Sequence, residues 1–244
     1  MLLEVCVDTI DGAWNAIRGG AGRIELCSAL SEGGLTPSAG LMAAAADLPV
    51  PVYVMIRPRT GLFHFSKEEE KIMARDIEVA KSLGLAGVVL GAQCQDGTLD
   101  RDMLERLSSK AAGMGQTLHR VIDRVPDPIA DLEVAIDLGF ERVLTSGSEP
   151  AAEQGLPLIQ KLFEAATGRI GIMPGSGVTP ENAGKILQMT GVRELHASCS
   201  VVVADGDEEL SFAPLGGLKQ TSEQRVKEMV EAMDQAMSAS NYPL

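Results

Sequence analysis

Hydrophobic and polar positions along the chain alternate between two periods, one typical of β-strands and one typical of α-helices. Short apolar runs with alternating polarity predict strands, and longer stretches with helical periodicity predict helices. The eight predicted strands are Leu2–Val7, Arg23–Ser28, Val52–Arg57, Ala86–Gly91, Gln116–Arg120, Arg142–Ser146, Arg169–Met173 and Arg193–Ala197. The predicted helices include Lys67–Leu83, Arg101–Ala112, Pro128–Leu138, Gly155–Ala166, Glu181–Met189 and a last one at about residues 221–237.

Several predicted helices end in the same way, with a glycine shortly before the next strand, as in "RGGAGRIEL" and "DLGFERVL". Glycine ends a helix readily because it adopts the left-handed conformation. The recurrence indicates one repeated strand–helix unit, and no Pro/Ser-rich linker divides the chain. Eight such units predict a single-domain α/β protein, a (β/α)8 TIM barrel spanning residues 1–244. A doubly wound open sheet is the alternative, but it usually carries a dinucleotide-binding glycine motif, which this chain lacks.

The phase of the predicted strands turns ionisable side chains toward the barrel interior. In the first strand the apolar residues at positions 3, 5 and 7 share the helix-facing side, so Glu4 and Cys6 point inward. The second strand, with apolar residues at positions 24 and 26, turns Glu25 and Cys27 inward in the same way. Because consecutive strands are neighbours in this fold, we expect Cys6 and Cys27 to lie near one another. The same phase turns inward Arg57, His119, Glu194 and His196.

Ionisable groups near the carboxyl ends of the strands are candidates for function, because barrel enzymes keep their sites there. These groups are Cys6, Cys27, Arg57, His119 and His196. Burying them is costly unless they pair with one another or bind a ligand. A purely structural interpretation requires Glu4, Glu25 and Glu194 to be neutralised by Arg23, Arg57 or Arg120.

The amino-acid composition excludes some classes of partner for such a site. The chain has 34 acidic and 21 basic residues and a formal net charge of -13, which argues against binding a nucleic-acid backbone. No apolar run approaches the ~20 residues that a membrane span needs, and the N-terminal segment lacks the features of a signal peptide. We therefore expect a cytoplasmic protein whose four cysteines are reduced thiols. The sequence is compatible with a homo-oligomer and does not decide the oligomeric state.

Two basic motifs end predicted strands and are candidate anion-binding groups. In "VMIRPRTG", Arg57 and Arg59 flank a proline that stiffens the backbone, and such arginines suit a carboxylate or a phosphate. The alternative for Arg57 is a salt bridge with Glu25. In "TLHRVID", Arg120 follows the strand-end histidine. The glycine turn "PGSG" after the seventh strand offers amides to an anion, but this is a weak indication because any barrel needs such turns.

Two of the three histidines, His119 and His196, fall at the ends of predicted strands. An imidazole titrates near neutral pH and can act as general acid or base. With Glu25 to orient or share the proton, these residues form a hypothetical catalytic set.

The paired cysteines carry two interpretations. Inward thiols on adjacent strands, Cys6 and Cys27, suit a soft cation such as Cu(I). A free cysteine is also a small, apolar residue that is often buried for packing alone. The residues by themselves leave both interpretations open.

Several blocks of the chain together resemble the CutC family, described as copper homeostasis proteins: "LEVCVD", "GGAGRIELCSALSEGGLTPS", "VMIRPR", "TLHRVID", "RVLTSGSE", "GIMPGSGVTPEN" and "ELHAS". The match runs in order from Leu3 to about Ser198. The resemblance implies a cytoplasmic (β/α)8 barrel with copper binding attributed to paired cysteines, matched here by Cys6 and Cys27. The family's basic and imidazole positions match Arg57, Arg59, His119, Arg120 and His196. Thr60 and Ser176 stand where the family usually has glycine.

Two functional hypotheses follow. The first is a copper homeostasis protein that binds Cu(I) through Cys6 and Cys27. The second is a barrel enzyme acting on a small anionic metabolite, with arginines holding the anion and Glu25, His119 or His196 moving a proton.

Overall fold

The computed structural model describes residues 1–203 and 218–239 and confirms the predicted alternation of strands and helices. The barrel strands are β1 Leu2–Val7, β2 Arg23–Leu26, β3 Val52–Met55, β4 Gly87–Leu90, β5 Gly115–Leu118, β6 Arg142–Thr145, β7 Gly171–Pro174 and β8 Glu194–Ala197. The helices are α1 Ile10–Gly19, α2 Ala39–Ala45, α3 Lys67–Ser82, α4 Arg101–Lys110, α5 Pro128–Asp137, α6 Leu156–Ala166, α7 Pro180–Thr190 and α8 Glu223–Ala239. The single-domain prediction also covers residues 204–217 and 240–244, which lie outside the described residues.

The eight strands form a nearly closed parallel barrel. Hydrogen-bonded ladders join them in the order β7-β6-β5-β4-β3-β2-β1-β8, and no ladder between the described β7 and β8 closes the circle. Several strands end earlier than predicted, because the chain leaves the ladder to form the loops of the barrel mouth. Cys27, Arg57 and His119 therefore lie just beyond the strands that carry them.

A two-stranded antiparallel sheet follows the barrel strands and was missed by the sequence analysis. It pairs β9 Ser200–Val203 with β10 Leu218–Thr221. The two strands are short and far apart in sequence, so no local hairpin signal joins them. Thr221, predicted as the start of the last helix, belongs to β10 instead, and α8 begins at Glu223.

The main hydrophobic core lies between the strands and the surrounding helices. Leu3, Val5 and Val7 of β1 belong to this core together with Ala13 and Ala16 of α1. The side-chain phase predicted for β1 is therefore confirmed. None of the described helices is both long enough and apolar enough to span a bilayer.

A charged layer fills the lower part of the barrel interior. Arg23 forms ion pairs with Glu4 and with Glu194, and Arg142 donates from Nε to Glu194 at 3.1 Å. The Tyr53 ring contacts both arginines, with the guanidinium carbons of Arg23 and Arg142 at 5.3 and 4.9 Å from its centroid. Burial raises the pKa of the Glu4 carboxyl, and the positive charge of Arg23 opposes this rise. Two of the three inward carboxylates are thus neutralised inside the barrel, as the structural interpretation required.

Tyr53 reaches across the interior because two neighbouring strands carry glycine where its ring passes. A β-carbon added at Gly87 would lie 2.3 Å from Tyr53 Cε1, and one added at Gly115 would lie 2.1 Å from the Tyr53 hydroxyl oxygen. The glycines of β4 and β5 therefore make the aromatic part of the charged layer sterically possible.

Replacing Arg23 by methionine is expected to lower the free energy of unfolding by about 3–5 kcal/mol, because the buried Glu4 loses its cation. Urea unfolding followed by circular dichroism measures the change. Arg18→Met is the matched control, since Arg18 pairs with Glu223 at the surface, where the two side chains are 53% and 34% exposed. Its expected cost is below about 1 kcal/mol. Equal losses in the two variants would contradict the proposed importance of the buried pair.

Candidate functional site

A cavity of about 270 Å³ opens at the carboxyl ends of the barrel strands. This is the end of a (β/α)8 barrel where binding and catalytic residues are found. The residues around the cavity are Cys6, Glu25, Leu30, Gly33, Met55, Arg57, Phe63, His119, Arg120, Leu144, Ser176 and His196. Six of the eight residues predicted for the site are therefore brought together, and Arg59 and Cys27 are not among them.

Three potential metal ligands converge on one side of the cavity. Cys6, Glu25 and His196 are all buried, and their ligand atoms lie within 4.8 Å of one another. Cys6 and Glu25 are direct partners in the β1–β2 ladder, so their side chains project together into the barrel. His196 Nε2 lies 2.8 Å from Glu25 Oε2. A thiolate, an imidazole and a carboxylate form a ligand set that suits zinc or copper.

The pKa of His196 is raised well above its ordinary value. Burial acts to lower it, but the electrostatic interactions of His196 with Glu25 and Cys6, together with hydrogen bonds to both, raise it further than burial lowers it. At neutral pH the side chain is therefore an imidazolium that compensates the buried Glu25. The third inward carboxylate is paired with a histidine and not with an arginine.

Arg57 forms the opposite wall and is held by the backbone. Its Nη1 donates to the carbonyl oxygens of Glu32 and Gly34, and its Nη2 donates to that of Gly61, each at 3.1 Å. The guanidinium carbon lies 5.1 Å from the centroid of the Phe63 ring. The salt bridge to Glu25 that the sequence left open is not among the ion pairs of the described residues, where Glu25 pairs with His196.

His119 lies beside Arg57 as a buried, neutral imidazole. Its Nδ1 accepts a hydrogen bond from the Val121 amide at 3.1 Å, which caps the short 3₁₀ helix of residues 120–124. The ring lies over Gly91, where a β-carbon would come within 2.5 Å of His119 Cε1. Burial and the charge of Arg57 lower the pKa of His119 from 6.5 to about 4. The two strand-end histidines therefore have opposite protonation states at neutral pH.

The other two arginines of the predicted anion site have partners of their own. Arg59 pairs with Glu69 and donates to the carbonyl oxygens of Leu62 at 2.9 Å and His64 at 2.6 Å. Arg120 lines the cavity, but its Nε donates to Asp123 at 2.8 Å. Arg59 and Arg120 each form an ion pair with a carboxylate, whereas Arg57 is in none of the ion pairs among the described residues.

Cys27 is fully buried and packs inside the barrel against Tyr53, Met55 and Val89. Its amide donates to the Val7 carbonyl at 2.9 Å, which keeps it beside β1 as predicted. Burial and the negative charges around it, that of Glu25 foremost, raise the pKa of its thiol well above the ordinary value. Cys27 therefore lies on the strand next to Cys6 without belonging to the group of three convergent ligands.

The remaining cysteines lie elsewhere. Cys199 is buried in the core outside the barrel, and burial together with the charge of Cys6 raises its pKa to about 12. Cys94 is half-buried in a loop, with its sulfur 3.9 Å from the Leu99 carbonyl oxygen.

Phe63 is a site residue that the sequence analysis missed. Its ring packs on His119 with the centroids 4.7 Å apart and also contacts Arg57. A signal was present in the sequence: the chain has only five phenylalanines, and two of them lie in the loop "GLFHFS" after β3. Apolar rings in a loop indicate that the loop folds onto the protein.

Comparisons with known proteins show the family of the chain. The family model described as "CutC family" matches residues 1–201. The CutC protein of Sinorhizobium medicae is 56% identical over 200 residues, covering 82% of each chain. The human protein named copper homeostasis protein cutC homolog is 50% identical over 198 residues, covering 81% of this chain and 72% of that one. A crystal structure of CutC from Streptococcus agalactiae superimposes with a TM-score of 0.78 at 33% identity, covering 81% of this chain and 98% of that chain.

The chain belongs to the CutC family. Ser176, at a position where the resemblance described above implies glycine, has a strained backbone with a compensating hydrogen bond. Ser176 adopts the left-handed conformation with φ of 74°, which a residue with a β-carbon rarely takes. Its hydroxyl donates to the Pro150 carbonyl at 2.8 Å, which stabilises the turn. The loop at this edge of the CutC cavity is therefore kept without the glycine.

Acidification is expected to destabilise this CutC protein partly through His119. Its pKa in the folded protein, about 4, is below the ordinary 6.5, so between these values the unfolded chain binds the extra proton. The stabilising contribution is complete above about pH 6.5 and is lost as the pH falls toward 4; at about 1.4 kcal/mol per pKa unit it amounts to roughly 3 kcal/mol. His119→Asn keeps a cap acceptor but does not titrate. Urea unfolding at several pH values should give a flatter pH dependence for this variant, and parallel curves would show that His119 does not titrate as described.

Proposed function

We propose that this CutC family protein binds Cu(I) at the carboxyl-terminal mouth of its barrel, through the thiolates of Cys6 and Cys27, and serves copper homeostasis in the cytoplasm. The observation that carries the proposal is the convergence of Cys6, Glu25 and His196 within 4.8 Å, with Cys27 on the adjoining strand. The copper ion is the cargo of the protein and not a resident cofactor.

The donor types support a soft metal ion. Thiolates select Cu(I), and an imidazole also suits copper, whereas a site for a hard cation would consist of oxygen ligands. Cys6 supplies the sulfur inside the convergent group, and Cys27 supplies a second sulfur from the same interior face two residues beyond Glu25. His196 can supply a nitrogen ligand. Glu25 orients its ring, since Glu25 Oε2 lies 2.8 Å from His196 Nε2.

Protonation opposes binding at these ligands. A thiol must lose its proton to ligate a metal, and burial raises the pKa of Cys27 well above its ordinary value. The imidazolium of His196 must also lose a proton before its Nε2 can act as a ligand. Copper binding is therefore expected to release protons and to weaken as the pH falls.

The cytoplasm is the compartment that fits this chemistry. All four cysteines are free in the structure, and free thiols persist in a reducing cytosol. The same conditions keep copper in its Cu(I) state, in which two sulfur ligands are favoured.

Replacing both Cys6 and Cys27 by serine is expected to weaken Cu(I) binding by roughly 100-fold or more, since loss of an outer partner of a metal ligand already costs about 10- to 100-fold. Reduced protein is titrated with Cu(I) in competition with a chelator of known affinity. The single variants Cys6→Ser and Cys27→Ser measure the share of each sulfur.

Cys94 offers a matched control. Cys94→Ser changes a sulfur outside the cavity lining and is expected to leave the Cu(I) affinity unchanged. A double variant of Cys6 and Cys27 that binds Cu(I) as tightly as the parent would refute the proposal. Equal losses in Cys94→Ser and in the single variants of Cys6 and Cys27 would indicate binding by thiols without a defined site.

A further inference from the structure

Three residues that line one cavity each contain a buried polar atom with no hydrogen-bond partner among the described residues. The atoms are Arg57 Nε, His119 Nε2 and Glu25 Oε1. The three residues are only 7%, 3% and 3% exposed. Buried polar groups are nearly always paired, because leaving them without a partner costs free energy. Three such atoms around a single cavity indicate a ligand that pairs with them.

The hydrogen-bonding role of each atom is determined by what its side chain already does. His119 Nδ1 accepts from the Val121 amide, so the proton of the neutral ring is on Nε2, which donates. Arg57 uses Nη1 and Nη2 on backbone carbonyls, which leaves its Nε–H as a donor without a partner among the described residues. Glu25 binds His196 with Oε2, which leaves Oε1 as an acceptor. The cavity thus presents two donors and one acceptor.

Charge and shape narrow the ligand further. Arg120 forms an ion pair with Asp123, and Glu25 contacts His196. None of the ion pairs among the described residues involves Arg57, whose guanidinium contacts carbonyl oxygens and the Phe63 ring. One uncompensated positive charge favours a monoanion. Leu30, Met55, Leu144 and Phe63 add apolar walls, and the volume of about 270 Å³ suits a molecule of a few carbon atoms.

We propose that this cavity binds a small hydroxycarboxylate. Its carboxylate accepts hydrogen bonds from Arg57 Nε–H and His119 Nε2–H, and its hydroxyl donates to Glu25 Oε1. The donors are held in place before binding, because backbone carbonyls hold the guanidinium and the glycine at position 91 fixes the imidazole plane. This binding function uses neither Cys6 nor Cys27 and does not require a copper ion.

Three probe molecules of nearly equal size test the proposal: lactate, propionate and propane-1,2-diol. Propionate lacks the hydroxyl, and the diol lacks the carboxylate. The reduced, metal-free full chain is titrated with each probe, and binding is followed by the NMR signals of the Arg57 Nε–H and the His119 ring. Lactate, as either enantiomer, should bind at least roughly tenfold more tightly than propionate, which loses the hydrogen bond to Glu25, and than the diol, which loses the carboxylate that accepts from Arg57 and His119.

Variants of the cavity residues test recognition of the carboxylate and of the hydroxyl separately. His119→Asn retains an acceptor for the Val121 amide but loses the donor toward the cavity, and should weaken binding of lactate and of propionate alike. Glu25→Met, which has no hydrogen-bonding oxygen at this position, should abolish the preference for lactate over propionate while leaving the weaker carboxylate binding in place. Arg59→Lys, beside Arg57 in sequence but outside the cavity lining, serves as the control and should bind lactate as the parent does.

The proposal is overturned if lactate binds no more tightly than propionate and the diol, or if none of the three probes moves the Arg57 and His119 signals. It is also overturned if His119→Asn and Arg59→Lys have the same affinity for lactate. Circular dichroism of each variant verifies the fold before titration, so that loss of binding is not confused with unfolding.

Discussion

Compensation of charge inside the barrel is the constraint on which the rest of this structure depends. Parallel strands covered by helices turn their apolar side chains outward, which leaves the alternate positions to fill the interior. In this chain those positions carry Glu4, Arg23, Glu25, Arg142 and Glu194. A charge in such an environment persists only when a partner lies within reach. Arg23, between Glu4 and Glu194, provides that partner for the lower part of the barrel.

The same constraint explains why chemistry is concentrated at the mouth. Below it, the arginines and carboxylates of the charged layer neutralise one another. At the mouth, Arg57 is surrounded by carbonyl oxygens and Glu25 is paired with a titratable histidine, so neither is neutralised by a fixed opposite charge. Identical residue types then behave differently: His196 beside Glu25 has a raised pKa, whereas burial beside Arg57 lowers that of His119 to about 4. The neighbours, and not the residue type, determine which imidazole carries a proton.

The strand phase could be predicted from the sequence because it depends only on alternation along each strand. It placed Cys6, Glu25, Arg57, His119 and His196 on one interior surface, and all five line the same cavity. What each of them contacts could not be predicted in this way. The carbonyl groups that hold Arg57 come from two different loops. Phe63, which contacts Arg57 at the cavity, also lies in a loop. Loop conformations depend on tertiary packing, so the alternation of residues along the strands does not predict which contacts the loop residues make.

Glu25 joins the two functions proposed for the mouth, because its two oxygens have different roles. Oε2 contacts His196, which belongs to the metal-ligand group, whereas Oε1 has no partner among the described residues and belongs to the proposed anion site with Arg57 and His119. Cys6 and His196 would hold a metal ion beside Glu25, and its positive charge would act on the same carboxylate that the proposed anion site uses. Two ligands that meet at one carboxylate influence each other's affinity by the same factor. Copper binding at the thiol side and anion binding at the arginine side would therefore be thermodynamically linked.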